Sequence, residues 1–313
     1  MPLSLRRGTV TGVLDRHEGL VRLEVDGIPC VAYPGLTGPV ALHDDVVVNV
    51  QARELALGSG GFDVLYLNLT RGLGLVSEPG AHVMKLPYTP LQSAVRHGEE
   101  EREPAVSLTG LPVVCCSLHS QLAPVCAALA GLRVAYVQLP GGALPVALSD
   151  TVRALKERGL LVVAVGADAC LAGDVECVNV YSALGWCAAE GYEAAVCAVG
   201  PGIVGTATRL GHGGLAAAIA VNAAGALRGR PVLAPRVSEA DPRQRHQGVS
   251  HHTRSVLDVC LVEPAMPEEL EPEGWREACE GLPLSHMGRG PGEDPAFFAA
   301  AYAAGFLAKS LLG

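Results

Sequence analysis

The sequence predicts an α/β protein, with a mostly parallel sheet covered by helices on both faces and a small β-rich, barrel-like domain in front of it. Three observations predict this. Short β-branched segments are closely spaced before residue 75, and from Leu111 onward nearly continuous apolar runs alternate with helical stretches. The residues are 49% hydrophobic and only 4% aromatic, so Ala, Val, Leu and Gly must fill the core. Alternation of this kind implies βαβ crossovers, and strands apolar throughout suit a parallel sheet buried on both sides, a Rossmann-like arrangement.

The first domain is expected over residues 1–75. Thr9–Leu14, Leu20–Val25, Ile28–Tyr33 and Val46–Ala52 read as strands. Asp26-Gly27, Pro34-Gly35 and Gly58-Ser59-Gly60-Gly61 are turn signals between them. Strands this short suggest a small barrel or curled sheet. Such barrels often bind nucleic acid, but here Arg6, Arg7, Arg16, Arg22 and Arg53 are outnumbered by nearby carboxylates. The domain therefore reads as packing or oligomerisation material.

Residues 76–110 read as an irregular linker, with Pro79, Pro87 and Pro90 in its first part and the acidic run Glu99-Glu100-Glu101-Arg102-Glu103-Pro104 after them. The α/β domain follows over 111–313. Its expected strands are Leu111–Ser117, Arg133–Leu139, Leu160–Gly166, Ala194–Val199 and Pro231–Val237, with a further strand near Val259–Val262. Its expected helices are Ser120–Ala130, Leu144–Arg158, Val178–Glu190 and Ile203–Arg228. The closing helix, Pro295–Leu312, is opened by Asp294 as N-cap and Pro295 at the first helical position. Phe298, Tyr302 and Phe306 share one face of it. That face either docks on the sheet or, in the sharper reading, helps to form a homodimer.

Composition excludes several classes. Net charge is −9 without a basic run, which argues against a nucleic-acid backbone binder. Mean hydropathy is +0.31, yet no clean stretch reaches the roughly 20 residues a bilayer needs. Met1–Arg7 lacks the apolar region of a signal peptide. The 10 cysteines contain no C-x-x-C, and several sit in apolar runs as core residues would. Together these features predict a cytoplasmic protein.

Ligands of open α/β sheets bind beyond the carboxyl ends of the strands. Two segments there stand out. The first, Gly200-Pro201-Gly202-Ile203-Val204-Gly205-Thr206, is a G-x-G-x-x-G sequence after an apolar strand. Gly200, Gly202, Gly205 and Thr206 are the candidate anion cradle, in front of a helix N-terminus. Pro201 removes one N–H, and no acidic residue follows about 20 residues on, so a phosphate group is favoured over a dinucleotide. A tight turn that merely packs helix on strand is the plainer alternative.

The second segment, Arg236 to Thr253, gathers Arg and His in an acidic chain. Arg236, Arg243 and Arg245 suit a phosphate or carboxylate, which guanidinium grips in a bidentate fork. His246 and His251, with Asp241, are the acid/base candidates. His246, His251 and His252 are also candidate ligands of a divalent metal, although their spacing fits no recognised zinc motif. A solvated loop held by salt bridges is the alternative. Asp168, Asp174 and Glu176 read as an acidic turn, able to hold Mg²⁺ but better suited to capping the next helix. His119-Ser120 reads as a helix N-cap on the same edge, and no G-x-S-x-G elbow supports a Ser-His-Asp triad.

Gly200–Thr206, Arg236-Val237-Ser238 and Arg245-His246 through Gly248-Val249-Ser250-His251-His252-Thr253 resemble segments of a bacterial family known as domain of unknown function 3866. The similarity extends to Leu86-Pro87-Tyr88-Thr89-Pro90, Ala143-Leu144-Pro145 and Asn179-Val180-Tyr181-Ser182, and so to most of the chain. It implies a bacterial source and brings no catalytic residue with it. The residues themselves predict binding of a phosphorylated small molecule or nucleotide, by an enzyme or a sensor. A non-catalytic assembly protein and a metal-dependent hydrolase using the His-rich loop are the alternatives.

Overall fold

A computed structural model describes residues 3–56 and 61–312, in two compact units that divide between Arg96 and His97. The turn expected at Gly58-Ser59-Gly60 lies outside the described residues.

The first unit holds a closed barrel of β1 (Leu5–His17), β2 (Leu20–Val25), β3 (Ile28–Ala32), β4 (Asp45–Asn49) and β5 (Asp63–Asn68), ordered β1-β2-β3-β5-β4. Antiparallel β1–β4 and parallel β3–β5 pairing close it. Val10, Leu23, Val25, Val46, Val48 and Leu65 fill its interior, and β4 alternates inward and outward as a half-buried strand should. The sequence reading missed β5 because it begins and ends on residues that usually mark turns. Asp63 is buried there and accepts from Arg53 Nε at 2.8 Å. A short hairpin, β6 (Val83–Lys85) with β7 (Ser93–Val95), occupies part of the stretch read as irregular, with Pro87 and Pro90 in its connection.

The second unit is built on a six-stranded parallel sheet. Its strands are β8 (Pro112–Cys116), β9 (Val134–Leu139), β10 (Val163–Ala167), β11 (Val175–Cys177), β12 (Ala194–Val199) and β13 (Arg230–Ala234), ordered β11-β10-β9-β12-β8-β13. Helices cover both faces, as alternate strand residues require. Val113, Cys115, Ala135 and Val137 meet the helices Val180–Ala189 and Ala216–Ala226. Val114, Cys116, Val134 and Tyr136 meet Leu122–Ala128, Asp150–Glu157 and Pro295–Ser310. Small residues let these layers close up. A Cβ on Gly305 would lie 2.5 Å from the Val125 carbonyl oxygen. All cysteines but Cys260 are buried, and none forms a disulfide, as suits core residues.

Four sequence expectations are corrected. The acidic turn is in part a strand: Glu176 lies in β11, and Asn179, not an acidic residue, caps the following helix through the Tyr181 and Ser182 amides. The helix expected from Leu144 begins only at Asp150, because Ser149 accepts from Val152 N–H and starts it there. The Ala-rich helix runs Ala216–Ala226, not from Ile203. Val259 ends a helix, His251–Val259, where a strand had been expected nearby, and the edge of β13 is instead bridged at Val232 by Ala265. No described helix is long and apolar enough to cross a membrane.

Phe297 and Phe298 are fully buried in the closing helix and Phe306 is exposed, so the expected aromatic face divides between core and surface.

Candidate functional site

β9 leads outward to β10, whereas β12 leads back across β8 to β13. The loops leaving β9 and β12 thus diverge, which makes a crevice at their carboxyl ends. Here that crevice is filled by backbone. A Cβ on Gly200 would stand 2.0 Å from the Ala143 carbonyl oxygen, and one on Gly142 would stand 2.2 Å from that of Gly200. Gln138 fastens the same loop, its Nε2 donating to the Ala143 and Leu144 carbonyls at 3.1 and 2.8 Å.

The Gly200 turn therefore does not open a helix. Its continuation doubles back, with Thr206 N–H donating to Gly211 O and Gly213 N–H to Val204 O, until Gly205 faces His212 in an isolated bridge. Gly202, Gly205 and Thr206 are exposed, and Thr206 Oγ1 bonds within its own loop to Gly211 O and Thr208. The four-residue cradle expected at a helix N-terminus is replaced by a folded loop that delivers His212 to the sheet edge.

The loop after β13 is ordered by a two-stranded ribbon, β14 (Val237–Ser238) with β15 (Gly248–Val249). The ribbon returns the chain beside Arg236, whose backbone bonds to Ser250 and Thr253. Ser250 then caps the helix His251–Val259 by accepting from His252 N–H at 3.1 Å. The helix N-terminus thus opens onto the loop.

Asp241 is the centre of charge. It is 1% exposed and ion-paired with three guanidinium groups. Arg243 grips it in a fork at 2.9 and 2.8 Å, while Arg236 and Arg289 stand 3.3 and 3.5 Å from Oδ2. Burial pushes the Asp241 carboxyl up, but the hydrogen bonds and charge of Arg243 outweigh it and hold the group well below the usual carboxylate range. Asp241 is thus a fixed anion at neutral pH and not an acid/base. Burial, then the charge of Arg243, brings Arg236 down to about 10, so it remains a cation. A second carboxylate, Asp294, accepts from Ser238 Oγ at 2.6 Å and Arg289 Nε at 3.3 Å. Asp294 sits at the N-cap position of the closing helix, yet its side chain is drawn into this network and does not cap.

Four histidines pack beside these arginines. The His212 ring stacks on His252 at 3.8 Å and 11°, and His246 lies 4.8 and 4.9 Å from the rings of His251 and His252. Nitrogen atoms of His212, His251 and His252 all lie within 4.8 Å of one another. Arg236 Nη1 donates to His252 Nδ1 at 3.1 Å, and His246 Nδ1 meets Ser250 Oγ at 2.7 Å. Burial, then the charges of Arg236 and Arg243, pushes His246 down to about 3, and burial with His212 and Arg236 pushes His252 to about 2. All four rings are lowered and therefore neutral near pH 7.

Two more histidines border the site. His286 stacks flat on Phe297 at 3.8 Å, is met by Ser120 Oγ at 3.2 Å, and is pushed down to about 3 by burial and then Arg236. His119 Nε2 lies 2.7 Å from Ser149 Oγ and its Nδ1 3.2 Å from Val199 O. Ser149 is 2% exposed and already caps a helix, so this pair braces the loops after β8 and β9, with Val199 O tying His119 to the end of β12.

Arg236, Asp241, Arg243, His246, His251 and His252, all expected from the sequence, come together. Arg245 is exposed, and His246 falls outside the converging histidine nitrogens. Three contributors escaped the sequence reading: His212, Arg289 and His286. The signal for His212 was Gly211-His212-Gly213-Gly214 just before the Ala-rich helix, masked by the assumption that the helix started earlier.

No curated protein matches the chain. A family model described as "Protein of unknown function (DUF3866)" matches residues 29–273, which include the arginines and histidines of the loop after β13. Since the match spans well over half of the sequence, the chain belongs to that family of proteins of unknown function, DUF3866.

Proposed function

We propose that this protein binds a small anionic molecule, a phosphorylated compound or nucleotide, at the carboxyl edge of its parallel sheet, in the manner of Rossmann-like sheets, and acts on it as an enzyme. The observation that carries this reading is the crowding of Arg236, Arg243 and Arg289 on one buried carboxylate, with Arg236 Nε and Arg289 Nη2 left without hydrogen-bond acceptors. A buried donor without a partner costs about 1–3 kcal/mol, which an incoming anion would recover. Three guanidinium groups face only Asp241 and Asp294, so positive charge is in excess. The N-terminus of the helix His251–Val259 adds backbone N–H groups of the same polarity.

Neutral histidines beside an anion supply proton transfer once the ligand raises their pKa. His246, which packs against the His251 ring at 4.8 Å and is not among the converging histidine nitrogens, is the acid/base in this reading. A thermal-shift panel of phosphate, sugar phosphates and nucleotides tests it, because any ligand preferring the native state raises the melting temperature. The reading predicts a rise with phosphorylated compounds that Arg289→Met removes. It fails if no phosphorylated compound shifts the wild type.

A further inference from the structure

We infer that His212, His251 and His252 form a site for one divalent transition metal of the zinc class. Their nitrogen atoms converge within 4.8 Å. His212 is 6% exposed, and neither of its ring nitrogens has a hydrogen-bond partner. His251 Nε2 is likewise buried and unpartnered. Buried imidazole nitrogens ordinarily find a donor or acceptor. Two residues with orphaned nitrogens meeting at one place mark a missing common partner. Each neutral imidazole offers one lone pair, and a metal ion takes several such lone pairs at one point.

The donor set selects the metal. Three imidazoles without a carboxylate suit zinc, cobalt, nickel or copper, and suit magnesium and calcium poorly. Asp241 cannot join as a ligand, since its oxygens are taken by Arg243, Arg236 and Arg289. Three histidines leave the fourth tetrahedral position open.

Loading requires a small, definable movement. Nitrogens around a tetrahedral zinc at about 2.0–2.1 Å stand roughly 3.3 Å apart, so the rings must draw together from their present limit of 4.8 Å. The stacked His212 ring must turn, because the lone pairs of parallel rings do not meet. It gives up no more than a loose contact with the Arg209 backbone. His252 must give up its contact with Arg236 Nη1. If Nδ1 binds the metal, its lone pair is used. If Nε2 binds, a neutral ring carries its proton on Nδ1 and cannot accept.

The site rests on observations separate from those behind the anion reading and is tested without any anion. The full chain, stripped of metal, is titrated with Co²⁺ and followed by visible absorption and by metal content after dialysis. The expected result is one Co²⁺ per chain with the intense visible bands of a tetrahedral centre, displaced by Zn²⁺ and not by Mg²⁺. His212→Gln and His251→Gln each weaken Co²⁺ binding beyond the roughly 10–100-fold that loss of an outer-shell partner costs. His246→Asn keeps the site. Far-UV circular dichroism confirms that each variant is folded, and the more accessible His251 serves where His212→Gln does not fold. Absence of stoichiometric Co²⁺ from the wild-type chain overturns the inference. So does binding that survives both His212→Gln and His251→Gln, or that disappears with His246→Asn.

Discussion

The Nη1 atom of Arg236 donates to Nδ1 of His252 across 3.1 Å, and this bond joins the arginine cluster to the histidine cluster. Both residues are buried, and Arg236 reaches Asp241 with its other terminal nitrogen. A change on either side is therefore felt on the other. Metal entry frees an Arg236 N–H for the anion. The protein loaded with Zn²⁺ should bind phenyl phosphate at least about 10-fold more tightly than the metal-free protein, since a hydrogen bond to a charged group is worth about 1.5–3 kcal/mol. Calorimetric titrations of the two forms check this, and equal affinities would show that the clusters are not coupled.

Asp241→Asn removes the carboxylate that separates three guanidinium groups. Breaking a buried ionic network by deleting one partner typically costs about 3–5 kcal/mol. Thermal unfolding should register that loss. Added phosphate should restore more stability to the variant than it gives the wild type, because the anion supplies the negative charge that the isosteric amide lacks. Equal responses of the two proteins would contradict the assignment.

Acid should destabilise the second unit in two steps. Burial lowers His119 to about 4, and burial followed by Arg236 lowers His246 and His286 to about 3. A histidine whose folded pKa is depressed binds fewer protons than the unfolded chain below about pH 6.5. Stability from these groups is complete above that value and declines as the pH falls toward 4. Asp241, also depressed, adds a further loss only below about pH 4, as protons reach the unfolded carboxylate first. Melting temperatures at pH 7.5, 6, 5 and 4 should fall steadily across the series, and a flat profile between 7 and 5 would rule out the neutral, buried histidines.

The glycine turn makes a contrast between neighbours. Gly200→Ala puts a Cβ 2.0 Å from the Ala143 carbonyl oxygen and should destabilise by at least about 1–3 kcal/mol, the usual cost of overpacking. Thr206→Ala, at an exposed residue bonded only within its own loop, should change stability by less than about 0.5 kcal/mol and leave anion binding intact. Loss of phosphate binding in Thr206→Ala would return the anion to the glycine turn.

Strands β8, β9, β10, β12 and β13 were legible because a parallel strand buried on both faces leaves an unbroken apolar run. β5 and β11 were not, since Asp63 and Glu176 are buried within them through partners that no local pattern encodes. The arginines and histidines after β13 were legible from charge gathered in one stretch. His212, His286 and Arg289 are single polar residues in unrelated loops, and only the crossover of β12 to β13 and the docking of the closing helix bring them in. The G-x-G-x-x-G sequence misled because glycines serve backbone-to-backbone contact as readily as contact with a phosphate. Here Gly142 and Gly200 spend that freedom on each other.

Calorimetric titration of inorganic phosphate into the metal-free chain tests the central claim most directly. Saturable binding of one phosphate per chain is predicted, weakened at least about 10-fold in both Arg243→Met and Arg289→Met. Titrations without saturable heat, or affinities that neither substitution changes, would contradict an anion site at the arginines that crowd Asp241.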